Sequence, residues 1–288
     1  RVRAGTQGRP DRPQQRVLPG AEGDRMTIKP YYQSDRVTLY HGDCLAILPT
    51  LADASIDLIV TDPPYGHNNN NNGDLIANWE KALGRGEAGK PRPIANDGPE
   101  ANELWKNVLP HSVRLLRSGG CCCCCCCGGG GPDPQFARWS LWMDEHLDFK
   151  QMVVWDKGKM GMGWHYRRSY ETVLVGMKPG GACKWYDESK KIENVIRPGD
   201  YGIRKIIPRE TDHPTPKPAA LAEHFIRLHS TGYDVVLDPF MGHGWVGDPS
   251  VRLGRRFIGI EIDEKYCEVA AKRIQAAEHE CAERLVPA

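Results

Sequence analysis

Short apolar runs alternate with segments of helical spacing along most of the chain. We expect strands at 36–40, 56–60, 151–155, 171–176, 234–240 and 255–262, and helices at 42–52, 103–117, 136–147, 218–230 and 263–285. The run 56–60 is apolar on both faces, which is typical of a strand covered by helices on both sides. Strands alternating with helices predict an α/β fold with a mostly parallel sheet.

The segment after the second helix has an unusual composition. Residues 118–120 read Ser-Gly-Gly and are expected to end the helix, since glycine readily adopts the left-handed cap. Seven consecutive cysteines at 121–127 stand where the next strand should begin, and cysteine, a small hydrophobe, can fill a strand. Consecutive cysteines cannot converge on one tetrahedral zinc ion, so the sequence predicts no metal site.

Two polar stretches fall outside the periodic pattern. Residues 1–25 are rich in Arg, Gly, Pro and Gln and precede Met26, so we expect them to be a disordered extension. Residues 66–96 contain an asparagine run and several glycines and prolines. A polar connection of that length is typical of a mobile functional loop.

Charge is distributed unevenly. The net charge of the chain is only +1, yet residues 157–209 carry 12 basic and 5 acidic residues, with aromatic side chains between them. This mixture suits phosphates and unstacked bases, although a solvated basic face is the alternative. The candidate DNA-binding residues are Lys157, Lys159, Arg167 and Arg168. No apolar run approaches the roughly 20 residues of a membrane span, and we expect a cytoplasmic location.

The stretch Thr-Asp-Pro-Pro-Tyr-Gly at 61–66 follows a predicted strand directly. Prolines cannot donate to a sheet ladder, so the strand must stop before Pro63 and Pro64. Its tip then presents the carboxylate of Asp62, a stiff backbone carbonyl and the ring of Tyr65. On its own, such an aspartate is more often the cap of a turn.

A second motif follows a later strand. Residues 242–247 fit the pattern G-x-G-x-x-G, and Glu261 ends the next strand 17 residues after Gly244. Glycines let the backbone approach a ligand closely, and an acid at the next strand tip can accept both ribose hydroxyls. This geometry suits a nicotinamide dinucleotide and S-adenosylmethionine equally well, and a tight turn without a ligand is also compatible with it.

Together the motifs resemble the beta class of amino-methylating DNA methyltransferases. The resemblance is carried by Gly-Asp-Cys at 42–44, the 61–66 motif, His-Pro-Thr-Pro-Lys-Pro at 213–218, Leu-Asp-Pro-Phe-Met-Gly-His-Gly at 237–244 and the segment 257–274. It covers roughly 35–66, 151–176 and 213–275. It implies a Rossmann-like methyltransferase fold, with a mostly parallel seven-stranded-type sheet, helices on both faces and a circularly permuted motif order.

The resemblance also implies a division of the chain. Residues 26–156 would be the catalytic half, 157–210 a basic target-recognition insertion, and 211–288 the cofactor-binding half of the same domain. The catalytic corner at Asp62 and the glycine turn at Gly242 should then lie side by side at one edge of a single sheet.

Residue roles follow from the same resemblance. The catalytic residues would be Asp62, Pro63, Pro64 and Tyr65. Those binding S-adenosylmethionine would be Asp43, Cys44, Lys217, Asp238, Phe240, Gly242, Gly244 and Glu261. Asp43 capping a nearby helix is an equal alternative, and Lys217 solvating a loop is another. A further interpretation is that Glu171 supports the site or the target-binding segment. The expected partners are double-stranded DNA and a second copy of the chain, with no membrane and no metal.

The expected activity is site-specific methylation of adenine N6 in DNA. An aspartate in the catalytic motif favours adenine in this family, and N4 of cytosine is the nearest alternative. Trp245 and Val246 replace the family's Thr-Thr, and Asp248 and Pro249 fall where a helix should propagate, so either that helix starts late or the cofactor site is damaged. A catalytically impaired DNA-binding module and an NAD-dependent dehydrogenase therefore remain as alternatives of other classes.

Overall fold

The computed structural model describes residues 28–66, 94–126, 135–158, 160, 167–203 and 217–284. The strands are β1 (Tyr32–Gln33), β2 (Val37–His41), β3 (Ile56–Thr61), β4 (Leu116–Cys126), β5 (Asp148–Asp156), β6 (Tyr170–Met177), β7 (Val195–Ile196), β8 (Val235–Asp238) and β9 (Arg256–Glu261). The helices are α1 (Cys44–Ile47), α2 (Ala101–Leu115), α3 (Gln135–His146), α4 (Ala219–His229), α5 (Gly247–Arg252) and α6 (Glu264–Glu283), with 3-10 turns at Leu48–Thr50 and Asp200–Gly202.

All the strands of this described part join one sheet, in the order β1-β2-β9-β8-β3-β4-β6-β5-β7. The central run from β2 through β9, β8 and β3 to β4 is parallel. Strand β6 is antiparallel to both β4 and β5. Without the two-residue strands β1 and β7, seven strands remain. The predicted mostly parallel sheet of the methyltransferase type is confirmed.

Helices cover both faces of the sheet. On one face α4, α5 and α6 place Phe225, Val251 and Ile274 against the strands. On the other, α2 and α3 bury Trp105 and Trp139. Because the central strands are buried on both faces, their apolar runs are continuous.

The cysteine run forms the centre of β4. Successive side chains of a strand point to opposite faces, so Cys121, Cys123 and Cys125 join the core on one side while Cys122, Cys124 and Cys126 join the other. All six are free and buried. Within the described ranges, no group of His, Cys, Asp or Glu side chains is arranged to hold a metal ion.

The expected role of residues 118–120 is wrong. Helix α2 ends at Leu115 and the chain enters β4 at once, so Gly119 and Gly120 lie inside the strand. There the pairing between β3 and β4 shifts register. Gly119 has a φ of 82°, and a Cβ on it would lie 2.1 Å from the carbonyl oxygen of Ala182. These glycines therefore serve a bulge and a close backbone contact.

The helix after the glycine turn starts late. Helix α5 begins at Gly247, which places Pro249 in its first turn. Proline is tolerated there because the first N–H groups of a helix have no partner within it. Asp248 and Pro249 therefore do not disrupt this part of the fold.

None of the helices in the described segments has the length and apolar character needed to cross a bilayer. The predicted extension 1–25 and most of the predicted loop 66–96 lie outside the described residues.

Candidate active site

The ends of β3 and β8 bring the two motifs together. The strands are parallel neighbours, pairing Leu58 with Val236 and Ile59 with Leu237. Their last residues are joined, since the Thr61 hydroxyl donates to Asp238 Oδ1 over 2.8 Å. The Asp62 corner and the glycine turn therefore leave the same edge of the sheet, as expected. Carboxyl ends of strands at such an edge are the usual ligand site of open α/β sheets.

Both oxygens of Asp62 accept hydrogen bonds. The Tyr65 hydroxyl donates to Oδ1 over 2.5 Å, and the ammonium of Lys217 donates to Oδ2 over 2.6 Å. Lys217 also lies 5.0 Å from the centre of the Tyr65 ring, within reach of a cation–π interaction. Burial and the neighbouring Asp62 raise the pKa of Tyr65 well above its usual value, so its hydroxyl stays protonated.

A second carboxylate lies behind Lys217. Glu171 Oε2 is 3.3 Å from Lys217 Nζ, an ion pair without hydrogen-bond geometry, while Oε1 accepts a hydrogen bond from Lys157. Burial opposes ionisation of Glu171, but the two ammonium groups outweigh it and lower its pKa to about 2. Burial likewise opposes the charge on Lys217, yet Asp62 and Glu171 raise its pKa. Four alternating charges thus stand in a row: Lys157, Glu171, Lys217 and Asp62.

The backbone after the two prolines is held by Asp97. Its Oδ1 accepts from the backbone N–H of Tyr65 over 3.0 Å and of Gly66 over 2.9 Å. The Tyr65 ring meets Trp139 of α3 edge-on at 6.5 Å between centroids. Sequence reasoning missed Asp97, because a single aspartate more than 30 residues from the motif carries no local signal.

The glycine turn is fixed to the end of β9. Gly242 and Gly244 have φ values of 54° and 82°, which favour glycine. Glu261 Oε2 accepts from the Gly242 N–H, and Oε1 accepts from the Asp263 N–H, each over 2.8 Å. Burial raises the pKa of Glu261. The carboxylate therefore braces the turn, and each oxygen keeps a further lone pair for a ligand.

Asp238 is fully buried at the end of β8. Its Oδ1 accepts from the Thr61 hydroxyl and from the Phe240 N–H. Its Oδ2 has no hydrogen-bond partner among the described residues. Burial raises the pKa of Asp238 to about 8. A buried carboxyl oxygen without a hydrogen-bond partner is costly and is expected where a ligand supplies the missing partner.

The other cofactor candidates lie near this edge. Asp43 caps α1, its Oδ1 accepting from the Leu45 N–H over 2.8 Å, while the neighbouring Gly42 N–H donates to the Glu261 carbonyl. Cys44 is buried in the core, and burial raises its pKa to about 12. Phe240 packs partly buried against the same core cluster. The capping interpretation of Asp43 is confirmed; a contact with a ligand stays a prediction.

The substituted residues of the glycine turn belong to the core. Trp245 and Val246 are buried among side chains of the face covered by α4 and α6. The core between the glycine turn and these helices therefore has room for a tryptophan at position 245.

Only part of the basic segment lies near Asp62. Glu171 accepts a hydrogen bond from Lys157, Arg167 is exposed, Arg168 is partly buried, and Lys159 falls outside the described residues.

The rest of the basic segment is divided between the sheet and its far end. Residues 170–177 of the predicted insertion form β6 of the main sheet. Lys184 pairs with Asp57 and Asp234, at the starts of β3 and β8. This end of β3 lies about 16 Å from Asp62, because five residues of a strand at ~3.3 Å each separate Asp57 from Asp62.

Comparison with known proteins identifies the family of the chain that carries this site. Residues 56–272 match the family model described as DNA methylase, of the N6/N4 type. The chain belongs to the N6/N4-type DNA methylase family. This methylase matches the DNA adenine methyltransferase YhdJ of Escherichia coli (strain K12), with 26% identity over 281 residues covering 88% of each protein.

Solved structures share the fold of the methylase. A putative DNA modification methylase from Thermus thermophilus, complexed with S-adenosyl-L-methionine, is 24% identical and gives a TM-score of 0.57, covering 84% of this chain and 96% of that one. The cytosine-N4-specific PvuII DNA methyltransferase is 19% identical and gives a TM-score of 0.61, covering 88% and 95%.

The predicted family, enzyme class and cofactor of the methylase are confirmed at this level. It is a DNA methyltransferase of a family that uses S-adenosylmethionine. Family membership also decides against the nicotinamide dehydrogenase alternative. The residues present fit S-adenosylmethionine. The unpaired oxygen of Asp238 suits the ammonium group of this cofactor, and Glu261 lies at the strand end where ribose hydroxyls are usually bound.

Proposed function

We propose that this chain methylates N6 of adenine at specific sites in double-stranded DNA. The observation that carries the proposal is the Asp62 corner, whose carboxylate and Pro63 carbonyl stand at the strand edge beside the cofactor turn. Family membership supports the reaction class, and the adenine methyltransferase among the relatives supports the choice of base.

The chemistry explains why this corner suits an exocyclic amine. The amine of adenine is a poor nucleophile because its lone pair is delocalised into the ring. Two acceptors on its two N–H groups pull the nitrogen towards tetrahedral geometry and release the lone pair. The Asp62 carboxylate and the Pro63 carbonyl would be those acceptors, kept in place by consecutive prolines.

Other residues would hold the reactants in line. S-adenosylmethionine, when bound, supplies a methyl group already activated on a sulfonium. Asp238, Glu261 and the glycine turn would bind it, while Asp43, Cys44 and Phe240 line the neighbouring edge. Tyr65 would stack on the target base after the base has left the duplex, which requires its hydroxyl to release Asp62. The acidic methylated amine then loses its proton readily, so Asp62 need not be a strong base.

The geometry supports an active enzyme more than an impaired DNA-binding module. Lys217 donates to Asp62, and Asp238 lies at the same edge of the sheet. Trp245 is buried in the core, and Pro249 falls in the first turn of α5, where proline is tolerated. Cytosine N4 is the second candidate, since the fold is shared with a cytosine-N4-specific enzyme.

Purified protein with labelled S-adenosylmethionine and unmodified duplex DNA tests the proposal. We expect label in the DNA and N6-methyladenine in nucleoside mass spectrometry. Finding N4-methylcytosine would overturn the choice of base. Cofactor binding by calorimetry without any methylated product would favour the impaired module. The predicted homodimer is tested separately by light scattering during size-exclusion chromatography.

A further inference from the structure

Glu171 is a charged group that the chemistry above does not use. It lies on β6, which is separated from β3 by β4, and its side chain is mostly buried. One oxygen contacts Lys157, which follows β5, and the other contacts Lys217, which precedes α4. Burial of a carboxylate shared by two lysines from different segments costs desolvation energy, and such arrangements occur preferentially at functional sites.

The position of Lys217 matters for Asp62. Lys217 donates to Oδ2 of Asp62 over 2.6 Å and stands 3.3 Å from Glu171. A buried ammonium with one anionic partner would be held entirely by that partner. It would then compete with the target amine for the catalytic carboxylate. A second carboxylate on the far side shares the ammonium and fixes where it stands beside the Tyr65 ring.

Lys157 completes the charge balance. Its ammonium is bound by Glu171 and lies 5.4 Å from the centre of the Trp155 ring. Two lysines and two carboxylates give this row no net charge. A lysine engaged in this way contributes little to an electrostatic footprint for phosphates.

We propose that Glu171 is a positioning residue for methyl transfer, which holds Lys217 between two carboxylates, and that Lys157 acts through Glu171 and not on DNA phosphates. This inference rests on the proposed methyltransferase function. It also assigns to Lys157 a different role from the DNA contact that its sequence position indicates.

Glu171→Gln tests the first part, because it keeps the size of the side chain and removes its charge. We expect kcat to fall about 10- to 100-fold through misplacement of Lys217, with KM for DNA nearly unchanged. Glu171→Asp should recover part of the lost rate, since the carboxylate is restored at shorter reach. Glu145→Gln, the same change on the exposed side of α3, serves as the matched control. A wild-type kcat in folded Glu171→Gln protein would overturn the inference.

A double-mutant cycle with Lys157→Gln tests the second part. In the wild-type background, Lys157→Gln should lower kcat severalfold. In the Glu171→Gln background, Lys157→Gln should change kcat no further, because Lys157 acts on Lys217 only through the carboxylate that this background already lacks. An equal rise of KM for DNA in both backgrounds, with a reduced salt slope, would show a phosphate contact instead. Should Glu171→Gln fail to fold, the same cycle is run with Glu171→Asp, where non-additive effects support the inference and additive effects overturn it.

Wild-type protein in the same assay separates the two proposals. Absence of methylation by the wild type overturns the proposed function itself. Methylation by the wild type, with Glu171→Gln as active as Glu145→Gln, overturns only the positioning role.

Discussion

Thr61 and Asp238 are joined by a 2.8 Å hydrogen bond between the last residues of two neighbouring parallel strands. The two residues are 177 positions apart in sequence; Thr61 directly precedes Asp62 and its prolines, and Asp238 lies four positions before Gly242 of the glycine turn. The bond therefore fixes the Asp62 corner relative to the glycine turn. Methyl transfer requires such fixed alignment, since misplacement by about 1 Å can cost 100-fold in rate.

Replacement of Asp62 by alanine should remove methyl transfer and spare cofactor binding. In the proposed mechanism the carboxylate accepts from the target amine of the DNA and does not contact the cofactor, so we expect kcat to fall at least ~100-fold. The dissociation constant for S-adenosylmethionine, measured by calorimetry, should stay nearly unchanged. Asp35→Ala, an exposed aspartate of the loop before β2, is the control. Retained transfer by Asp62→Ala would remove this residue from the catalytic role.

Tyr65 should matter through its ring more than through its hydroxyl. Tyr65→Phe keeps the ring and frees Asp62 Oδ1, so we expect kcat to remain within severalfold of wild type. Tyr65→Ala removes the stacking surface and should weaken base stacking by about 1–3 kcal/mol. Fluorescence of 2-aminopurine at the target position reports the extruded base. Tyr233→Phe, at an exposed tyrosine, is the control, and a loss in Tyr65→Phe as large as in Tyr65→Ala would contradict the prediction.

Asp238 should make stability depend on pH between about 4 and 8. Its folded-state pKa of about 8 lies above the unfolded value of about 3.9, so over this range the unfolded state releases a proton that the folded state keeps. Its contribution to the free energy of unfolding is therefore lost progressively as pH rises through this window, and is constant outside it.

Asp238→Asn removes this titration. Relative to wild type, the variant should gain stability as pH rises from 5 to 8 in urea unfolding without cofactor. Parallel stability curves for the two proteins would show that Asp238 is ionised in the folded state across the range.

Glu261→Gln should weaken cofactor binding. The carboxylate accepts from the N–H groups of Gly242 and Asp263, and charged acceptors contribute about 1.5–3 kcal/mol per hydrogen bond. Since glutamine keeps only one acceptor oxygen, we expect the dissociation constant for S-adenosylmethionine to rise about 10- to 100-fold. Glu283→Gln, at the exposed end of α6, is the control. Unchanged affinity would mean that the turn keeps its shape without this brace.

The glycines at 119 and 120 show where local reasoning failed. Glycine after a helix usually marks a left-handed cap, yet here the chain passes straight from α2 into β4. The close approach of the Ala182 carbonyl, which no local pattern contains, is what requires glycine at 119. The start of α5 at Gly247 was one of two outcomes that the sequence left open at Pro249, and only the packing of the glycine turn decided between them.

The sequence by itself determined the α/β pattern, most of the longer strands and helices and the two motifs, because apolar periodicity and the turn preferences of proline and glycine act over a few residues. It also determined the family, since several short motifs occur in one order. Only the tertiary structure decided the partners of the charged groups. Lys217 meets Asp62 across 155 residues and is buried instead of solvating a loop, and Glu171 and Lys157 complete the row. Ion pairs of this kind form between groups that meet only after the sheet has assembled, and their charges look the same in sequence as those of a solvated surface.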